Sequence, residues 1–150
     1  MSEQHLTIAT ASDHAGFELR NALEAHLSAK GIRVLSLGTQ VKERCDYPDY
    51  AEKVARAVVA GDADLGLLVC GTGVGMSMAA NKVHGVRAAV VSDIFSARAT
   101  RLHNDCNVLC VGERVVGVGL AQEIVDAFLS ASFEGGRHQG RVQKMMDLER

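Results

Sequence analysis

The sequence predicts an α/β fold: a Rossmann-like, doubly wound sheet of five parallel strands flanked by helices, with an extra C-terminal helix. Three observations carry this expectation. Short apolar runs alternate with amphipathic segments five times along 150 residues, without internal repeats, low-complexity tracts or a linker. The runs Leu65–Cys70 and Val86–Val91 are continuously apolar, as strands are when helices cover both faces of their sheet. A glycine-rich turn follows the third run, and open parallel sheets gather ligands just beyond the carboxyl ends of their strands.

Each element has its own signal. Leu6 to Ala11 is β-branched and apolar, hence the first strand, and Ser12–Gly16 is a loop. Phe17, Leu19, Ala22, Leu23, Ala25 and Leu27 keep near-helical spacing up to a stop at Gly31. Ile32 to Leu37 is the second strand, closed by Gly38 and Thr39. The polar stretch Gln40 to Asp49 holds the only proline, Pro48, and is predicted to be a loop before a helix over Tyr50 to Ala60. The third strand is Leu65–Cys70, and the helix after its glycines reaches about Lys82. Val86 to Val91 is the fourth strand. The helix from Asp93 to about Leu102 is broken by His103, Asn104 and Asp105. Asn107 to Val111 is the fifth strand, and Gly117 to Ala131 an apolar helix with the stripe Leu120, Ile124, Val125, Phe128 and Leu129. Phe133 to Arg141 is a glycine-interrupted basic turn before a charged helix that runs from about Val142 to the end. That last helix has little apolar surface of its own, so the stripe before it predicts a dimer or larger assembly that uses this region.

Composition excludes several function classes. A chain of 150 residues is one domain, 1–150, able to bury roughly two-thirds of its unfolded surface. A net charge of −2, 4% aromatic residues and no tryptophan argue against nucleic acid as a partner. The N-terminus lacks a signal-peptide pattern and no apolar run spans a bilayer, so no membrane partner is expected and the cytoplasm is the expected location. Cys45, Cys70, Cys106 and Cys110 contain no C-x-x-C pair and are expected to be reduced. His103, Cys106 and Cys110 are close in sequence, but a structural metal site needs four ligands and a loop-to-strand segment scatters these three, so no metal is expected.

The glycine cluster is the strongest chemical signal. Gly71, Gly73 and Gly75 alternate, with Thr72 and Val74 between them, and Met76 stands where a dinucleotide fingerprint has its third glycine. No Lys-Ser/Thr pair follows, so this is not a nucleotide P-loop. A plain turn needs one glycine or two; three with Thr72 favour a nest of N–H groups facing an anion. Cys70 alone has the makings of a core residue. At the end of a strand and beside the positive end of a helix, it stands where a thiolate is favoured. Asp13 and His14 follow the first strand on the same predicted sheet edge, where Asp13 also suits a helix N-cap. His103 and Asn104 join the site only if their helix ends on the ligand side. Arg137 and Arg141 form either a solvated basic face or a phosphate fork, which Arg114 is placed to join. His5, His26, His84 and His138 receive no role.

The segments Ser12–Gly16, Asp46–Ala51, Cys70–Gly75, Ala79–Lys82, Gly85–Ala88, Arg101–Asp105 and Gly135–Arg141, in that order, resemble the type B ribose-5-phosphate isomerases, a family that includes galactose-6-phosphate and allose-6-phosphate isomerases. The resemblance covers nearly the whole chain. It implies a metal-free and cofactor-free aldose–ketose isomerase, a dimer or dimer of dimers, acting on a sugar phosphate. It further implies that Cys70 is the general base, that His103 opens the sugar ring, that Asp13 contacts sugar hydroxyls and that Asn104 lies in the pocket. By the same resemblance the Gly71–Gly75 loop holds the enediolate, and His14, Arg114, Arg137 and Arg141 grip the phosphate, the last two from a neighbouring subunit. Thr72 is suited to carry protons between the two enediolate oxygens. Two rival readings are an isomerase of a six-carbon or four-carbon sugar phosphate and, less favoured, a non-catalytic sugar-phosphate sensor, which has no need of a base.

Overall fold

The computed structural model describes residues 6–149, so His5 lies outside the described residues. The strands are β1 (Thr7–Ser12), β2 (Arg33–Ser36), β3 (Leu65–Cys70), β4 (Ala88–Val90) and β5 (Val108–Gly112). The helices are α1 (Phe17–Ala29), α2 (Tyr47–Ala60), α3 (Val74–Ala80), α4 (Ile94–Asn104), α5 (Val118–Ser130) and α6 (Arg137–Met146). The strands form one sheet in the order β2-β1-β3-β5-β4, every pairing parallel. The chain leaves β1 for β2 on one side and returns past it to β3 on the other. The crevice between the carboxyl ends of β1 and β3 is therefore a topological switch point.

Strand alternation divides the core into two layers. Leu67 and Val69 of β3 face Leu19, Leu23 and Leu27 of α1 and Ile124, Val125 and Phe128 of α5. Leu68 and Cys70, one residue out of phase, face Ala51, Val54 and Ala55 of α2 and Met76 and Ala80 of α3. Each large aliphatic side chain so buried contributes about 1.5–3 kcal/mol.

The structure departs from the sequence-based expectation in four places. Helix α2 begins at Tyr47, not Tyr50, with Pro48 in its first turn. A proline there forfeits no helical hydrogen bond, since those N–H groups have no partner in the helix. Helix α4 runs on through His103 and Asn104 and stops at Asp105, which has φ +50°. Helix α6 begins at Arg137, so the basic turn is partly helical, and it ends at Met146. Finally β4 has three residues, not six, and is a half-exposed edge rather than a covered interior strand. The Asn81 side chain occupies that edge: its amide donates to the Ala88 carbonyl at 2.9 Å and its oxygen accepts from the Ala88 N–H at 2.8 Å.

Candidate active site

Four of the predicted residues meet at the switch point. Asp13 ends the extended chain after β1, and its carboxylate accepts from the N–H groups of Ala15 at 2.9 Å and Gly16 at 3.1 Å. Both bonds go to one oxygen, so the cap leaves the second carboxylate oxygen available to a ligand. His14 follows. Its Nδ1 accepts from the Cys45 N–H at 3.3 Å, so the neutral ring carries its proton on Nε2. Cys70 ends β3, 5% exposed, and its Sγ accepts from the Gly73 N–H at 3.1 Å. That N–H belongs to the residue that caps α3, so the start of the helix faces the sulfur. Thr72 is exposed beside it, its Oγ1 accepting from the Val74 N–H at 3.2 Å. Burial pushes the thiols of Cys106 and Cys110 up, which keeps both protonated and unreactive.

The alternating glycines divide by cause. Gly73 has φ +80°, and a Cβ there would stand 2.9 Å from the Val111 carbonyl carbon. At Gly75 a Cβ would stand 2.6 Å from the Tyr47 ring. Folding alone accounts for those two. A Cβ on Gly71 would meet nothing nearer than 3.7 Å, so packing does not demand glycine there. Tyr47, which lies against the nest and escaped the sequence reading, was hidden by the assignment of its segment to a loop.

Arg114 belongs to this edge. The loop after β5 clamps the end of β3 through Glu113 N–H to the Cys70 carbonyl (2.9 Å) and Arg114 N–H to the Gly71 carbonyl (3.0 Å). The Glu113 carboxylate also accepts from Leu19 N–H at 2.7 Å and so ties α1 to the same corner.

The remaining predicted residues gather elsewhere. Helix α4 runs back along the sheet to the amino end of β5, carrying His103 and Asn104 with it. Cys70 pairs with Gly112 and Gly66 with Val108. The length of β5, about 13 Å of strand rise, thus separates the thiol from the end nearest His103. The Glu134 N–H donates to the Leu102 carbonyl at 3.1 Å and docks the glycine-rich turn on α4. Arg137 and Arg141, one turn apart and exposed, start α6 from that point. His103, Asn104 and Arg141 line a cavity of about 340 Å³ with His138. His138 stacks on His103, ring centroids 4.6 Å apart. Burial, then the charges of Arg137 and His103, push its imidazole down against the opposing pull of Glu134. Glu134 and His138 were the second group missed from the sequence. Within one chain Arg114 stands at the opposite sheet edge from Arg137 and Arg141.

One chain therefore carries two separate clusters: a cysteine, a nest, Asp13, His14 and Arg114 at one edge, and a histidine, an amide and two arginines at the other. The family model described as Ribose/Galactose Isomerase matches residues 8–145. Ribose-5-phosphate isomerase B of Escherichia coli is 54% identical over 142 residues, covering 95% of either chain. The structure of Clostridium thermocellum ribose-5-phosphate isomerase B superposes with a TM-score of 0.95 at 49% identity, covering 96% of this chain and 97% of that one. That of the Mycoplasma genitalium ribose-5-phosphate isomerase B with bound ribulose 5-phosphate gives 0.92 at 46% identity, covering 97% of each. By sequence and by fold, over nearly its whole length, the chain belongs to the ribose/galactose isomerase family.

Proposed function

We propose that the chain interconverts ribose 5-phosphate and ribulose 5-phosphate, in the cytoplasm, as a dimer or dimer of dimers whose sites each draw on two copies. The observation that carries the reading is the Cys70 sulfur, held by the Gly73 N–H at the switch point beside Asp13 and His14. Cys70 as thiolate removes the weakly acidic C–H proton next to the sugar carbonyl and returns it to the neighbouring carbon. The enediolate charge that develops between these steps falls to N–H groups of the Gly71–Gly75 segment. Thr72 passes the hydroxyl proton between the two oxygens, and Asp13 holds sugar hydroxyls. His14 and Arg114 take the phosphate, whose binding energy fixes the reacting carbons against Cys70.

His103 opens the ring, Asn104 contacts the sugar, and Arg137 and Arg141 complete the phosphate grip, all from a second copy. Two observations support that assembly. The two clusters lie at opposite sheet edges of one chain, and exposed apolar side chains surround the Cys70 edge, Phe95 at 78% and Met78 at 63% exposure with Val74 and Val90. Among the described residues no helix is long and apolar enough to cross a membrane.

Proton NMR of ribose 5-phosphate with the protein in D₂O tests the reading. Ribulose 5-phosphate forms with deuterium at the transferred position, and Cys70→Ala abolishes turnover while still binding the sugar phosphate. Equal turnover by Cys70→Ala would remove the base assignment. Activity on six-carbon or four-carbon sugar phosphates alone would change the substrate and keep the mechanism.

A further inference from the structure

Glu134 and His138 take no part in the reaction proposed above, yet both are held against His103. The His103 Nε2 lies 3.4 Å from the Glu134 Oε1, and the His138 Nε2 lies 4.0 Å from the same oxygen. One donor atom from each of the three side chains falls within 4.8 Å of the others. His138 is only 8% exposed, and its Nε2 has no hydrogen-bond partner among the described residues. A buried ring nitrogen without a partner is uncommon and points to a missing ligand.

Two imidazoles and a carboxylate are the donor set that zinc-class ions take, often with water in the fourth position. Tetrahedral bonds of about 2.0–2.1 Å set donors roughly 3.3–3.4 Å apart. The His103–Glu134 pair already has that spacing. The other two reach it when the exposed Glu134 carboxylate and the half-exposed His103 ring both rotate, which ends the stack of His103 on His138, because an imidazole binds a metal in its ring plane. We propose that His103, Glu134 and His138 form a three-donor site for a divalent cation of the zinc class, and that its occupation silences the enzyme by withdrawing His103 from the sugar. The silencing rests on the role given to His103 above; the binding does not. Arg137 and Arg141 on the same turn oppose a second cation, so the ion binds reversibly rather than as a resident structural metal. The trio is distinct from His103, Cys106 and Cys110, whose two cysteines are buried in opposite layers of the core.

Cobalt(II) titrated into the full-length protein reads the site directly, because four-coordinate cobalt has far stronger visible bands than the hexaaquo ion. The expected result is such bands, saturating at one ion per chain, bleached by zinc and absent from Glu134→Gln and His138→Gln. Zinc affinity by calorimetry falls at least about tenfold in Glu134→Gln, the lower end of what even outer-shell changes cost. Glu134 is exposed, so that variant keeps its fold. Zinc inhibits wild-type turnover of ribose 5-phosphate, EDTA restores it, and Glu134→Gln, with basal turnover intact, resists the same zinc concentration. Absence of a four-coordinate spectrum, or unchanged zinc affinity in Glu134→Gln, overturns the site. Zinc bound there with undiminished turnover overturns the silencing. A wild-type protein inert toward every sugar phosphate would overturn the isomerase reading instead, and the cobalt spectrum would still decide the site.

Discussion

At the scale of single residues, the nest separates what folding needs from what a ligand needs. Gly73 is fixed by its left-handed backbone and by the Val111 carbonyl against it. Gly73→Ala is expected to cost about 2 kcal/mol, or roughly 5 °C in Tm for a chain of this size, measured by thermal unfolding. Gly71 meets only ordinary contacts. Gly71→Ala keeps its Tm within about 1 °C while kcat/KM falls at least about tenfold, because in the proposed mechanism the new methyl takes the space given to the enediolate. A Gly71→Ala protein with full activity would return Gly71 to the status of an accident of the turn. Motif reading identified all three glycines but not this division, which depends on Val111, Val90 and Tyr47 arriving from distant segments.

Among the elements, long periodic segments were legible and their ends were not. Leu19, Leu23 and Leu27 announce α1 by spacing, and Leu65–Cys70 announces β3 by its unbroken apolar run. The misplaced boundaries share one cause: local signals with two meanings. Pro48 opens a helix as readily as it marks a loop, and Gly140 sits inside α6 although glycine is a helix breaker. His103-Asn104-Asp105 has turn composition, but only Asp105 leaves the helix. Which sheet edge receives His103 follows from strand order, and no local pattern encodes strand order. Packing of α1 on α5 brings its own prediction. Asp126 on α5 accepts from His26 of α1 and from Lys30, which caps α1, each at 2.7 Å. Burial alone would raise its carboxyl, but the hydrogen bonds from Lys30 and His26 and their charges outweigh it and hold the group below 3.8. A carboxyl lowered on folding stabilises above its unfolded value and loses that contribution as pH falls through the folded one. Asp126 is partly exposed, so solvent screening keeps the contribution under about 1 kcal/mol. Urea unfolding is expected to find Asp126→Asn less stable than wild type at pH 7, with the gap closing below about pH 3.8. A gap that does not narrow as pH falls below 3.8 would assign the effect to packing.

For the molecule as a whole, the decisive fact is that parallel topology sends the C-terminal end of α4, with α6 docked on it, to the edge opposite Cys70. On the reading proposed above, each chain holds a base without its ring-opening histidine, and two arginines without a sugar to grip. A second copy that brings its His103 edge to the first copy's Cys70 edge resolves both deficits and covers Phe95 and Met78. The resemblance in sequence implies this for Arg137 and Arg141; the proposal extends it to His103 and Asn104, which lie at the same edge. The direct test mixes two inactive proteins, Cys70→Ala and His103→Asn, under conditions that allow subunits to exchange, and follows ribulose 5-phosphate formation by NMR. In a mixed dimer one site inherits both substitutions and the other neither, so half the dimers carry one intact site and turnover returns to about a quarter of wild type. Mixtures that stay as inactive as their components, although mass spectrometry shows mixed dimers, would contradict a site built from two copies.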